Sequence, residues 1–176
     1  MAEERDTSRL TRLLGYDEAL LVAISRRQLP RLTWLMKALT RLGDAESFVL
    51  MGVLVLTTAG PLMALRLAIG ALGATIPAHF LKRLLRRKRP TVHIPGWVAL
   101  DADPDAFSFP SGHTATSFGV ALTLLASHSV FAGPALALAT AIGLSRVYLG
   151  AHYPLDVMAG VFLGSFGAFV SRIVFG

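Results

Sequence analysis

The chain has 176 residues, of which 53% are hydrophobic and only 16% are charged, and its mean hydropathy is +0.58. This composition is too apolar for an ordinary soluble domain and predicts a single compact unit, an all-α polytopic membrane protein. Cysteine is absent, which excludes disulfides and thiolate metal sites. The net charge of +6 is also found in nucleic-acid-binding proteins, but in a membrane chain it more often serves orientation and binding to anionic headgroups.

Residues 1–44 form a basic, amphipathic segment, and residues 1–15 lack the apolar core of a signal peptide. Its many cations exclude a membrane span, and Pro30 is expected to divide it into two short helices lying in the membrane interface, with Trp34 at headgroup depth. A packed cytosolic helical hairpin fits the same pattern. The leucines of the segment alternate with five cations: Arg26, Arg27, Arg31, Lys37 and Arg41.

Residues 45–176 are expected to form a transmembrane catalytic core with about five membrane-spanning helices. The apolar runs predict spans at residues 45–59, 62–81, 111–129, 133–148 and 154–175. A polar loop at residues 91–109 carries Asp101, Asp103 and Asp105. With five spans, the amphipathic segment, the basic run at residues 82–90, this loop and the turn at 149–153 all share one membrane face.

The basic run contains cations with two different interpretations. Lys82 and Arg89 are two helical turns apart, so a helix that continues through this run would present both on one stripe with Arg86 between them. The neighbouring Arg83, Arg87 and Lys88 are interpreted as positive-inside anchors.

Pro110-Ser111-Gly112-His113 is predicted to open a membrane helix. Ser111 is a natural N-cap, and the free N–H groups of Gly112 and His113 at the positive helix end favour an anion. His113 would then lie beside that anion, able to give or take a proton. A simple helix start is the alternative interpretation.

The stretch from Ser145 to Asp156 combines an arginine, a histidine and an aspartate between two apolar runs. Asp156 follows His152 by four residues, and a carboxylate partner fixes the imidazole tautomer and makes the other ring nitrogen a better nucleophile or base. Arg146 suits an anion with several oxygens. A purely structural histidine–aspartate pair is the alternative. No third histidine or carboxylate stands at metal-ligand spacing, which favours a metal-free anion site over zinc.

Together these motifs resemble the three-part signature of the type-2 phosphatidic acid phosphatase superfamily. The parts are Lys82, six residues, then Arg89-Pro90; Pro110-Ser111-Gly112-His113; and Ser145-Arg146, five residues, His152, three residues, Asp156. All three match in order and spacing, and the helical layout extends the likeness over nearly the whole chain. The chain departs from the family at its front, since many bacterial members have six spans.

The resemblance implies a role for each matched residue. His152 would attack phosphorus, Asp156 would orient it, and His113 would protonate the leaving group and then deprotonate the hydrolytic water. Five residues would hold the phosphoryl oxygens: Lys82, Arg89, Ser111, Gly112 and Arg146. Members of this family need no metal or other cofactor.

The predicted function is therefore an integral-membrane, metal-independent phosphatase acting on a lipid phosphate or diphosphate in the bilayer, with no nucleic-acid partner. Candidate substrates are a polyprenyl (di)phosphate, a polyprenyl-phosphosugar phosphate, phosphatidic acid and phosphatidylglycerol phosphate. A non-enzymatic lipid-phosphate binding or transport protein on the same fold is the alternative; a haloperoxidase-like vanadate site is disfavoured by the apolar spans. Of the 17 Lys and Arg residues, only Arg66 and Arg172 fall on the opposite face. The positive-inside rule thus predicts a cytoplasmic active site in a bacterial inner membrane, against the family's usual periplasmic orientation.

Overall fold

The computed structural model describes residues 2–26, 29–101 and 105–176, with the side chains of the first helix described from residue 11 onward. Arg27 and Asp103 lie outside the described residues. All regular elements in these ranges are α-helices, which confirms the predicted all-α class. They are α1 (Ala2–Ser25), α2 (Pro30–Arg41), α3 (Ala45–Thr58), α4 (Pro61–Leu85), α5 (Pro90–His93), α6 (Gly112–Ala126), α7 (Ala132–Tyr148) and α8 (Pro154–Phe175).

The five predicted spans correspond to α3, α4, α6, α7 and α8. Among the described residues, α4 and α8 are long and apolar enough to cross a membrane, whereas α3 is apolar but has only 14 residues. A straight span needs about 20 residues, and α6 and α7 have 15 and 17. The span count of five therefore stays a prediction.

Large apolar side chains cover the outer faces of these helices. Val49 on α3, Phe80 on α4 and Phe162 on α8 are 65%, 68% and 75% exposed. Apolar side chains exposed in such numbers along several helices need a lipid rather than an aqueous environment. The surface thus agrees with the composition in defining a membrane protein.

Helices α4, α6 and α8 pack together through small residues. A Cβ atom on Gly160 would lie 2.8 Å from the carbonyl oxygen of Ser111, and one on Gly167 would collide with the backbone of Gly70 and lie 2.7 Å from the nitrogen of Ala74. Small residues let membrane helices approach this closely. The close approach places the first turn of α8 against the start of α6, where the Ser111 N–H donates to the Asp156 carbonyl over 3.0 Å.

Adding one methyl group at Gly167 is expected to destabilise the protein. The Gly167→Ala Cβ would meet backbone atoms of α4, which cannot rotate away, so the free energy of unfolding should fall by about 1–3 kcal/mol. Gly52→Ala on α3 is the matched control because its Cβ would meet nothing within 4 Å. Thermal unfolding in detergent measures both, and equal midpoints for the two variants would contradict the packing described here.

The N-terminal helices pack on the active-site end of the bundle. Pro30 begins α2 and separates it from α1 as predicted, but α1 has 24 residues and is not short. Leu21 of α1 is fully buried against Val147 and Tyr153. Trp34 remains 74% exposed. Whether this exposed side meets headgroups stays a prediction.

The basic run departs from the predicted helix. Helix α4 ends at Leu85, and Arg86 adopts a left-handed conformation with φ of 48° as its C-cap. Such a residue terminates a helix and redirects the chain. The prediction that Lys82, Arg86 and Arg89 lie on one helical stripe is therefore wrong, because the helix does not continue to Arg89.

Candidate active site

The predicted site residues meet at one end of the bundle. They come from the ends of α4 and α7, the segment that follows α4, the starts of α6 and α8, and the turn between α7 and α8. Six of the eight are buried: Lys82, Arg89, Ser111, Arg146, His152 and Asp156. Within the described ranges, no group of three or more His, Asp or Glu side chains is arranged to hold a metal ion.

His152 lies between the carboxylate of Asp156 and the guanidinium of Arg89. Its Nδ1 is 3.5 Å from Oδ2 of Asp156, and its Nε2 is 3.4 Å from Nη1 of Arg89. The same Asp156 oxygen accepts the N–H of Tyr153 over 2.9 Å, which fixes the carboxylate at the start of α8. With the Nδ1 proton directed to Asp156, the lone pair of Nε2 faces the arginine, where an anionic substrate would bind.

Each of the three predicted phosphate-binding cations contacts an aspartate of the polar loop that precedes α6. Lys82 Nζ is 2.8 Å from Asp105 Oδ2, and Arg89 Nε donates to the backbone carbonyl of Asp105. Arg146 Nη1 donates to Asp101 Oδ2 over 2.9 Å and to Thr40 Oγ1 over 2.6 Å. Carboxylate oxygens thus occupy positions where the same cations would meet phosphoryl oxygens. The sequence identified these aspartates but gave them no role.

Asp105 is held in its ionised form. Burial alone would raise the pKa of this carboxyl, but the hydrogen bond from Lys82, the N–H of Phe107 and the charges of Lys82 and Arg89 together bring the pKa below its usual value. Because the folded pKa is lowered, the ion pair with Lys82 is fully formed above the ordinary range of aspartate. It is lost only as the pH falls through the lowered pKa, and it persists at neutral pH.

Asp105→Asn is expected to strengthen phosphate binding. A neutral amide competes less well for Lys82, so the inhibition constant of inorganic phosphate and the KM for a lipid phosphate should fall by about 2–5-fold, as for one partly exposed charge pair. Glu18→Gln, which removes one negative charge from a carboxylate outside this cluster, is the control. Unchanged or weaker inhibition by phosphate in Asp105→Asn would contradict competition at Lys82.

His113 lies in the first turn of α6, after the N-cap predicted from the sequence. The hydroxyl of Ser111 accepts from the Thr114 hydroxyl over 3.0 Å and from its N–H over 3.5 Å, which confirms the cap. Nε2 of His113 is 2.8 Å from Oδ1 of Asp44, the N-cap residue of α3. A Cβ on Gly43 would lie 2.8 Å from the His113 ring, so the chain before Asp44 packs directly on the imidazole.

Asp44 was not identified from the sequence. It lies 69 residues before its partner, and an aspartate ahead of an apolar run indicates only a helix N-cap. The combination Gly43-Asp44 is the available signal, since a glycine beside a polar residue often marks a close approach.

A cavity of about 560 Å³ extends from these residues between α3, α4 and α6. Its polar end is formed by Lys82, His113 and Arg146 with their carboxylate partners, and its other walls include the apolar side chains of Phe48 and Leu72. The carboxylates that line it are those of Asp44, Glu46, Asp101 and Asp105. A space with charged groups at one end and apolar walls suits an amphiphile with an anionic head.

Arg87 belongs to this site, contrary to its interpretation as a positive-inside anchor. Its Nη1 donates to Asp156 Oδ1 over 2.7 Å and its Nη2 donates to Asp17 Oδ2 over 2.7 Å. Its guanidinium lies over the Tyr153 ring, 3.9 Å from the centroid. Burial raises the pKa of that tyrosine to about 12, partly offset by the Arg87 charge, so the phenol stays neutral.

The fold and the cluster define a helical membrane bundle with two histidines, three cations and an aspartate at one end. The model of the PAP2 superfamily matches residues 61–176, and the chain therefore belongs to this superfamily. The matched region includes all eight predicted site residues but not α1, α2 or α3.

The chain is also similar to individual phosphatases in sequence and in structure. The decaprenylphosphoryl-5-phosphoribose phosphatase of Mycobacterium tuberculosis is 41% identical over 106 residues, covering 59% of this chain and 57% of that protein. The undecaprenyl-diphosphatase of Sulfolobus acidocaldarius is 29% identical over 160 residues, covering 90% and 78%. The crystal structure of a transmembrane PAP2 type phosphatidylglycerolphosphate phosphatase from Bacillus subtilis superimposes with a TM-score of 0.76 at 25% identity, covering 92% and 85%. The chain spans little more than half the length of several of its curated relatives.

Proposed function

We propose that the protein is an integral-membrane phosphatase that hydrolyses a lipid phosphate or diphosphate, without a metal ion, through a phosphohistidine on His152. The observation that carries this proposal is the position of His152, whose Nε2 faces Arg89 while Asp156 contacts its other nitrogen. Family membership and the names of the relatives support the same reaction class.

The reaction proceeds in two displacements. Nε2 of His152 attacks phosphorus, the bond to the leaving oxygen breaks, and His113 gives that oxygen its proton. His113 then takes a proton from water, which attacks phosphorus and breaks the P–N bond to release phosphate. Donors around the phosphoryl group stabilise its equatorial oxygens: Lys82, Arg89, Ser111, Gly112 and Arg146. Asp101 and Asp105 must leave the cations before substrate binds.

The substrate is an amphiphile with its phosphate at the polar end of the cavity and its tail in lipid. Two relatives are named for polyprenyl-linked substrates, and this favours a polyprenyl phosphate or diphosphate over the glycerolipid candidates. The apolar walls beside Phe48 and Leu72 suit an isoprenoid chain.

Phosphate release by detergent-purified protein tests the function. The panel comprises a polyprenyl diphosphate, a polyprenyl-phosphosugar phosphate, phosphatidic acid and phosphatidylglycerol phosphate, each with wild type and His152→Ala. We expect release that depends on His152 and is fastest with a polyprenyl substrate. No release from any substrate, together with saturable binding, would favour the lipid-phosphate binding protein instead.

The chain is expected to cross a bacterial inner membrane five times, with a cytoplasmic active site and an external C-terminus. The positive-inside rule supports this orientation, because the predicted topology assigns only Arg66 and Arg172 of the 17 Lys and Arg residues to the opposite face. Paired reporters fused after Gly176, one active only in the cytoplasm and one only outside, measure it. A cytoplasmic C-terminus would contradict either the orientation or the number of spans.

A further inference from the structure

Arg87 forms a bridge between the catalytic pair and the N-terminal helix. Its two terminal nitrogens each make one 2.7 Å charge-assisted bond, to Asp156 on α8 and to Asp17 on α1. The side chains of Asp17 and Asp156 are 1% and 0% exposed, and that of Arg87 is 20% exposed. Ion pairs this well buried with short contacts are among the strong ones, and loss of one partner leaves a buried charge.

Asp17 is fixed from two sides. Its Oδ2 accepts from Arg87, and its Oδ1 accepts the backbone N–H of Leu155 in the first turn of α8 over 2.9 Å. Asp17 therefore holds α1 to the helix that carries Asp156. It lies outside the region that the family model matches.

The two oxygens of Asp156 have different partners. Oδ1 accepts from Arg87, while Oδ2 faces Nδ1 of His152 and accepts the N–H of Tyr153. Other charged or titratable groups also lie around this bridge. Glu18 of α1 and His93 of α5 are 3.7 Å apart, and Lys88 lines the same surface pocket. The Tyr153 phenol lies under the Arg87 guanidinium, and Arg89 faces Nε2 of His152. The charge that Asp156 presents to His152 thus depends on how much of it Arg87 neutralises, and Asp17 competes for the same arginine.

We propose that Arg87, shared between Asp17 and Asp156, is a positioning residue that sets how strongly Asp156 accepts the Nδ1 proton of His152. This inference rests on the proposed function, because it concerns the activation of the nucleophile in that reaction. On this proposal α1 contributes Asp17 to the active site, in addition to lying at the membrane surface.

Removing the charge of Arg87 and removing the charge of Asp17 should shift the acid limb of the pH–rate profile in opposite directions. Without Arg87, Asp156 keeps its full negative charge and takes up protons more readily, so the acid limb of the pH–rate profile moves to higher pH. Without the charge of Asp17, Arg87 is drawn wholly to Asp156, so the acid limb moves to lower pH. Removing both charges together restores the balance. A purely structural bridge would change stability in all three variants without these opposite shifts.

The test measures kcat, KM and the pH–rate profile of the detergent-purified full chain on the best substrate of the panel. The variants are Arg87→Gln, Asp17→Asn and the double variant, with Arg87→Lys as the conservative variant should the glutamine fail to fold. Arg83→Gln is the matched control, because Arg83 is an exposed cation in the last turn of α4.

We expect Arg87→Gln to lower kcat by about 10–100-fold with little change in KM, as for other groups that orient a reactive residue. Its acid limb moves up, that of Asp17→Asn moves down, and that of the double variant lies close to wild type. Arg87→Lys keeps the charge and therefore the acid limb, with an intermediate kcat. Shifts in one direction for both single variants, or a profile no different from Arg83→Gln, would overturn the proposal. Absence of any His152-dependent release in wild type would instead overturn the proposed function and, with it, this inference.

Discussion

Replacing His152 with alanine is expected to reduce phosphate release by at least about three to four orders of magnitude, because the side chain that attacks phosphorus is lost. Its Nε2 is the ring nitrogen directed to Arg89, and its burial leaves little room for water to take its place as a well-oriented nucleophile. Initial rates of phosphate release on the best lipid substrate measure the effect.

His79→Ala is the matched control for this loss. His79 lines the cavity beside Lys82 and His113, but its Nδ1 bonds the Thr75 carbonyl within α4 and its side chain is exposed. Its removal should change the rate by less than about threefold, since no step of the reaction uses it. A His152→Ala protein that is folded and retains more than a few per cent of wild-type activity would show that another group attacks phosphorus.

Replacing His113 with alanine is expected to lower kcat by about 10²–10⁴-fold on a lipid phosphate, the range for a lost general acid. An alkoxide is a poor leaving group and needs the proton, whereas a nitrophenolate leaves without it. The loss in the first step should therefore be much smaller on a nitrophenyl phosphate, and Asp44→Asn should follow the same pattern with a smaller loss, because Asp44 contacts His113 Nε2.

The leaving-group comparison separates acid catalysis from misfolding. Serine substitution of Thr57 on α3, where the hydroxyl bonds carbonyls of its own helix, is a control that alters neither histidine. Equal losses for His113→Ala in the first step on the two classes of substrate, measured as the pre-steady-state burst of leaving group, would mean that His113 does not protonate the leaving oxygen.

The helices and the matched motifs were predictable because their signals are local. Apolar runs bounded by Gly60-Pro61 or Pro154 mark helix ends within a few residues, and Ser111 is the N-cap that its position before Gly112 indicates. The family signature also predicts that Lys82 and His152 belong to one site, although they are far apart in the sequence and no local pattern links them.

Local sequence signals do not predict which cation of the basic run contacts Asp156. Arg83, Arg86, Arg87 and Lys88 are chemically alike in sequence, and only the left-handed turn at Arg86 decides that Arg87 faces Asp156. A continuous helix would have rotated a different cation toward the site. Which of these four cations contacts Asp156 therefore depends on the backbone conformation of Arg86.

The contributions of the N-terminal helices were also beyond sequence reasoning. Asp17, Thr40 and Asp44 each reach a predicted site residue or its partner over 69 or more positions, and every one looks like an ordinary polar residue of an amphipathic segment. Burial identifies Asp17 and Thr40, since a buried carboxylate such as Asp17 requires a charged partner. The side chain of Asp44 is 44% exposed, and only its contact with His113 identifies it. The segment predicted to lie in the membrane interface thus also contacts the candidate site.

Direct detection of the phosphorylated enzyme tests the central claim most directly. Wild type, His152→Ala and His113→Ala are each mixed with radiolabelled nitrophenyl phosphate, quenched in base, and mapped by peptide mass spectrometry. We expect a base-stable, acid-labile phosphoryl group on His152 in wild type, its accumulation in His113→Ala because water is no longer deprotonated, and its absence in His152→Ala. Rapid phosphate release with no labelled histidine, or with the label on another residue, would contradict the phosphohistidine mechanism.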